Sequence, residues 1–139
     1  MEKRTLGRTG RQVGVIGLGA WQLGADWGQV DESDALATLE GALEAGVDFI
    51  DTADVYGDGR SEQIIAKLLR THVAAVAAGE LTVATKMGRR MAQEPENYSA
   101  ANFRAWTDRS RRNLGVDRLD QVQLHSPPDP VIGPDGGLD

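Results

Sequence analysis

The chain contains no cysteine in its 139 residues, which excludes disulfide staples, zinc–thiolate sites and thiol nucleophiles. Stability must come from packing. It also lacks any apolar run of about 18 residues that could cross a bilayer, and Met1 to Thr5 leads into no apolar stretch of secretory type. A cytoplasmic protein with no membrane partner is expected. Basic residues are outnumbered, 15 against 21 acidic, for a formal net charge of -6. That balance argues against general attraction to nucleic acid or to anionic lipid. One local cluster, Arg104, Arg109, Arg111, Arg112 and Arg118, falls in a helical pattern and is expected to form a solvated face. Histidine is scarce too. His72 and His125 are the only two, neither lies near a carboxylate pair with ligand spacing, and no metal centre is expected. A G-x-S-x-G elbow, the mark of many serine hydrolases, is missing.

What is present suits one soluble domain, with 40% hydrophobic and 26% charged residues. A unit recurs: a short apolar run, a loop, a helical pattern, then a glycine before the next apolar run. The first helix is expected from about Asp34 to Glu44, with Leu36, Leu39, Ala42 and Leu43 on one face and Gly46 as its left-handed stop. A second begins near Ser61 as N-cap, carries Ile64, Ile65, Leu68 and Leu69, and ends at Gly79. A third begins near Ser99 or Ala100, carries Phe103, Trp106, Ser110 and Leu114, and ends at Gly115. The runs Val13–Leu18, Val47–Ile50, Leu81–Thr85 and Leu119–Leu124 read as strands, giving β-α-β-α-β-α-β. Strands joined by crossover helices lie parallel, and nearly continuous apolar runs suit strands covered on both faces. Upstream, Arg4 to Val13 reads as a hairpin turning at Thr9-Gly10, and the stretch after His125 reads as loop.

Such units build either an open doubly wound sheet or a closed barrel. A dinucleotide-binding open sheet wants G-x-G-x-x-G on its first turn, yet Gln22 stands where the third glycine belongs after Gly17 and Gly19. The barrel is favoured. In a parallel barrel the functional groups gather at the C-terminal ends of the strands, and there Asp51, Tyr56, Lys86 and His125 would share one rim. Singly, each has an ordinary role as cap, packing residue, strand-end charge or loop histidine. Jointly, an acid, a phenol, an amine and an imidazole suit reduction of a carbonyl. Hydride arriving at carbon leaves negative charge on oxygen, to be met by a proton and by hydrogen-bond donors. An ammonium beside a phenol favours its phenolate, and a carboxylate can hold that ammonium in place. The hydride requires a nicotinamide cofactor, since no side chain supplies one. Asp51 with Asp54 as paired acid/base carboxylates stays open as a weaker reading.

The residues resemble the aldo/keto reductase family over nearly the whole chain: Leu6 to Gly10, Gly17 to Trp21, Gly46 to Gly57, Ala84 to Lys86 and Leu124 to Pro128. The resemblance implies a (β/α)8 TIM barrel with about its first four β/α units present, preceded by a β-hairpin, so that residues 1–139 form the N-terminal half of one barrel domain. It implies a catalytic tetrad of Asp51, Tyr56, Lys86 and His125, with Tyr56 the proton donor. NADP(H) would contact Ala20, Trp21 and Asp51, with Ala20 standing where threonine is common. A small-molecule aldehyde or ketone would lie against Trp21, Trp27 and His125. Arg89 and Arg90 are loop cations without an assigned role. A full barrel takes about 250 residues, and in the family much of the cofactor site comes from later strands. This span alone is therefore expected to be inactive or nearly so. Two non-catalytic readings stand beside it: a half-barrel associating with itself or a partner through open edges, and a binding module using Trp21 and Trp27 without redox chemistry.

Overall fold

The computed structural model describes residues 1–26 and 28–133. Strands β1 (Lys3–Thr5) and β2 (Gln12–Gly14) pair antiparallel, with Lys3 opposite Gly14. Their turn is closed by Leu6 N–H donating to the Arg11 carbonyl at 2.8 Å and by the Thr9 hydroxyl donating to the Leu6 carbonyl at 2.6 Å. This is the expected hairpin. The apolar run after it divides, however, and only Leu18–Gly19 (β3) enters the parallel sheet rather than all of Val13–Leu18. The reason lies in the backbone partners. Gly14 N–H donates to the Asp48 carboxylate at 2.7 Å and Val15 N–H to the Glu2 carbonyl at 3.0 Å, so this stretch is already paired away from the sheet. Val15 and Ile16 stay exposed.

The parallel sheet runs in order β3, β4 (Phe49–Asp51), β5 (Thr82–Met87) and β6 (Gln121–Leu124). Ile50 lies opposite Leu18 on one side and Val83 on the other, and Thr85 lies opposite Val122. Each step crosses by a helix. The first, α1 (Glu32–Glu44), buries Ala35 and Leu39, with Leu36 and Leu43 partly covered, and stops before Gly46 at φ 88°. The next, α2 (Arg60–Thr71), starts two residues earlier than expected, with Gly59 as its N-cap rather than Ser61. Ser61 is instead fully buried. Its hydroxyl donates to the Ala20 carbonyl at 2.8 Å and is bonded to the Thr52 hydroxyl at 2.9 Å, tying the helix to two strand ends.

The helical pattern up to Gly79 is also broken, at His72 (φ -115°, ψ 35°), giving a short α3 (Val73–Ala77). The His72 ring explains the break, since its Nδ1 sits 3.1 Å from the Leu68 carbonyl and its Nε2 3.3 Å from Glu40. After β5, α4 (Ala100–Leu114) has Ser99 accepting from Asn102 N–H at 3.3 Å and Gly115 in the left-handed region, as its sequence signals require. The stretch after His125, expected as loop, contains one helical turn, α5 (Asp129–Ile132), begun by Pro128 and closed by Gly133 N–H on the Asp129 carbonyl at 2.7 Å.

The core lies between sheet and helices, around Leu23, Leu39, Ile50, Ile64, Ile65, Leu68, Val83 and Leu114. Burying each such side chain contributes about 1.5–3 kcal/mol. The hairpin closes the N-terminal end of the strands. Lys3 pairs with Asp48 at 2.8 Å, and Arg11 reaches Asp120 at 2.7 Å and the Thr82 hydroxyl at 3.2 Å. Burial raises the Asp48 carboxyl, but the hydrogen bonds from Lys3 and Gly14 and the Lys3 charge outweigh it and leave the group below its usual range. One end of the sheet is thus sealed by the hairpin. The other carries the chemistry.

Candidate active site

Alternation along a strand decides which side chains reach which layer. In β5 the Thr85 hydroxyl turns toward α2 and donates to Glu62 at 2.7 Å, so the next residue, Lys86, points to the opposite face. The same parity separates Thr52, bonded to Ser61, from Asp51. Lys86 and Asp51 consequently meet, Nζ to Oδ2 at 2.6 Å, and Nζ also donates to the Thr52 carbonyl at 3.0 Å. Tyr56 opens the turn Tyr56–Gly59, and its hydroxyl lies 3.5 Å from the same Nζ, which sits 5.3 Å from the ring centroid. The Tyr56 ring stands between Trp21, stacked at 6.1 Å, and His125, edge-on at 5.7 Å. The four residues expected on one rim are brought together.

His125 follows β6 and keeps its register, with its N–H donating to the Met87 carbonyl at 2.9 Å. Gln93 fixes the bend after it by donating to the His125 carbonyl at 3.0 Å and the Ser126 carbonyl at 2.5 Å. Burial, then the charges of Arg89 and Lys86, push the His125 ring below its ordinary pKa, with Asp51 opposing. That shift favours the uncharged imidazole. Its Nδ1 is buried without a hydrogen-bond partner among the described residues. The cleft before these groups measures about 360 Å³ and is lined by Trp21, Asp26, Val55, Tyr56, Arg89 and His125.

Ala20, Trp21 and Trp27 were expected to serve cofactor or substrate. Trp21 is 41% exposed and faces the cleft. Ala20 is buried, and both its backbone groups are engaged, N–H to the Asp51 carbonyl at 2.8 Å and carbonyl to Ser61. In this segment it is Trp21, not Ala20, that lines the cleft. Trp27 lies outside the described residues. Asp54, the second half of the paired-carboxylate reading, is 0% exposed and does not line the cleft. Neither of its carboxyl oxygens has a hydrogen-bond partner among the described residues. Burial first, then the charge of Glu62, raises its pKa to about 6, against the opposing charges of Arg90 and Arg109. That position removes it as an acid/base group for a substrate.

The sequence reading missed how the Tyr56 loop is held. Gly57 (φ 57°) and Asp58 (φ 51°) are both left-handed, and a Cβ on Gly57 would collide with the Gly24 carbonyl. Asp26 accepts the Gly57 N–H at 3.0 Å. Arg109, expected on a solvated face, instead reaches back from α4 to donate to the Asp54 carbonyl at 3.0 Å and the Asp58 carbonyl at 2.7 Å. Arg90 pairs with the Asp58 carboxylate at 2.6 Å, which gives one of the two unassigned cations a place. The helical period held the signal for Arg109. It follows Trp106 by three residues and precedes Asn113 by four, on the stripe that faces α2. Arg104, Arg111, Arg112 and Arg118 do lie exposed.

The chain is similar to known proteins in sequence and in fold. Residues 15–131 match the aldo/keto reductase family. L-galactose dehydrogenase of Arabidopsis thaliana is 38% identical over 125 residues, covering 90% of this chain and 38% of the relative. Among solved structures, aldo-keto reductase AKR11C1 from Bacillus halodurans superposes with a TM-score of 0.74 at 32% identity, covering 90% of this chain and 40% of that one. An aldo-keto reductase from Klebsiella pneumoniae crystallised with NADPH superposes with a TM-score of 0.70 at 27% identity, covering 93% and 41%. The chain spans about 40% of the length of the relatives it matches. Its parallel strands and crossover helices are the first four β/α steps of their TIM barrel, entered through the hairpin. The strand-end groups, the fold that aligns them and the match over most of the residues converge: this chain belongs to the aldo/keto reductase family.

Proposed function

We propose that residues 1–139 are the N-terminal half of one barrel domain and supply the proton-transfer rim of a cytoplasmic, NADP(H)-dependent oxidoreductase that reduces aldehydes and ketones to alcohols. The observation that carries this reading is the Lys86 ammonium, set between the Asp51 carboxylate at 2.6 Å and the Tyr56 hydroxyl at 3.5 Å. Tyr56 donates its proton to the carbonyl oxygen as charge builds there. Lys86 favours the phenolate left behind, and Asp51 with the Thr52 carbonyl fixes Lys86 in position. Uncharged His125 orients the carbonyl without adding a competing charge. The exposed face of Trp21 and the Asp51 carboxylate, whose Oδ1 has no hydrogen bond among the described residues, fit the nicotinamide end of the cofactor, which supplies the hydride when bound. The Klebsiella relative crystallised with NADPH supports that choice. The 139-residue span alone is expected to be inactive or nearly so.

The test is reduction of an aromatic aldehyde by the complete chain, followed as NADPH absorbance. Tyr56→Phe is expected to lower kcat by about 10²–10⁴-fold with little change in KM, the range for loss of a general acid. Retention of wild-type kcat would sink the reading. A second reading, association of this half-barrel through its edges, rests on the single-sided pairing of β3 and β6 and on exposed Val15 and Ile16. Sedimentation of the 139-residue span as a folded monomer would remove it.

A further inference from the structure

Among the described residues, the cleft holds one cation that the proton-transfer scheme does not use. Arg89 lines it with Tyr56 and His125, stands exposed, and makes no hydrogen bond or ion pair among the described residues. The neighbouring cations differ. Lys86 is paired with Asp51, and Arg90 and Arg109 are both paired with Asp58. The other charge on the cleft wall, Asp26, has one carboxylate oxygen held by the Gly57 N–H at 3.0 Å. Arg89 is thus a guanidinium with no counter-ion among the described residues, beside the group that would orient a carbonyl. A planar five-donor fork suits a carboxylate in two-point contact.

We propose that Arg89 is a specificity residue that binds a carboxylate on the substrate, so that this site prefers small carbonyl compounds carrying an anionic group. The inference rests on the reductase reading for what happens to the bound carbonyl, but the anion contact itself is independent of it. Arg89 and His125 line the same cleft, so carboxylate and carbonyl belong to one molecule. The charged end takes Arg89, and the apolar part lies along Trp21 and Val55.

The experiment uses the complete chain with 4-carboxybenzaldehyde and its methyl ester, which differ in charge and little in shape. Arg89→Gln is expected to lower kcat/KM for the acid by about tenfold, chiefly through KM, and to change the ester less than about twofold. Arg89→Lys should restore part of the loss, and added salt should weaken turnover of the acid alone. In parallel, tryptophan fluorescence is titrated with 4-carboxybenzyl alcohol and its methyl ester, a measurement that needs no turnover. Tighter binding of the acid, lost in Arg89→Gln, sustains the assignment even if Tyr56→Phe shows the reductase reading to be wrong. Equal losses for acid and ester, or no loss for either, overturn it while leaving the reductase reading intact.

Discussion

Arg109 gives the most direct test of how the Tyr56 loop is built. Replacing it with Met keeps most of the apolar stem and removes the donors. Two hydrogen bonds from a charged donor are lost, to the Asp54 carbonyl at 3.0 Å and the Asp58 carbonyl at 2.7 Å. Such bonds are each worth about 1.5–3 kcal/mol. Asp58 is exposed, so water can replace its partner, whereas Asp54 is buried and its carbonyl would lose a partner that water does not readily replace. The third contact, to the Asp58 carboxylate, contributes little because that side chain is 73% exposed. The expected destabilisation of Arg109→Met is about 2–4 kcal/mol, read as a shift in the urea midpoint of the complete chain. Asp58→Asn, which keeps both carbonyls, should shift the midpoint clearly less than Arg109→Met. Activity should fall further than stability explains, because Asp54 and Asp58 flank Tyr56. A loss below about 1 kcal/mol for Arg109→Met, or equal losses for the two variants, would refute the view that the carbonyl contacts hold the loop.

Two further outcomes follow from the same loop. Asp54 has its folded pKa raised to about 6 from 3.8 by burial, so the folded state binds the extra proton between those values and its stability falls as pH rises through that window. The shift corresponds to about 3 kcal/mol at neutral pH. Asp54→Asn should therefore gain relative to wild type in urea unfolding at pH 7.5 compared with pH 4, and a difference independent of pH would contradict the assignment. Gly57→Ala meets both a left-handed φ and the Gly24 carbonyl, and should cost more than about 2 kcal/mol. Gly10→Ala, also left-handed but with nothing near its Cβ, should cost only about 1–2 kcal/mol. Equal thermal shifts for the two would show that the close approach of the loops carries no weight.

The strand-end tetrad was legible because it depends on parity and on helix stops, both local. Gly46 and Gly115 ended helices where their neighbours require a left-handed residue, and Asp51, Lys86 and His125 each fell at the end of an apolar run. What escaped were features decided across the chain. The division of Val13–Leu18 follows from Asp48, 34 residues beyond Gly14, claiming that backbone N–H. Ser61 reads as a cap locally, yet its hydroxyl is taken by Thr52 and by Ala20, 41 residues away. Arg109 reads as one charge in a basic helix until α4 is packed on α2 and brings it over the loop. In each case a side chain satisfied a backbone group that no nearby residue could reach, and charge or propensity alone carries no trace of such pairing.

The contact of Arg11 with Asp120 joins residues 109 positions apart. Closing a loop of that length costs about 4 kcal/mol in chain entropy beyond a constant, whereas a partly exposed ion pair returns about 1 kcal/mol or less. The pair therefore cannot draw the chain together. It forms only after the β/α steps between its partners have stacked, and it then acts on how slowly the folded state opens rather than on how fast it is reached. Synthesis runs from the N-terminal side, so the hairpin can fasten to Asp48 and then to Thr82 as each arrives, and it gains the Asp120 contact only after both. The hairpin's nearer contacts can form early, and its longest-range one closes last.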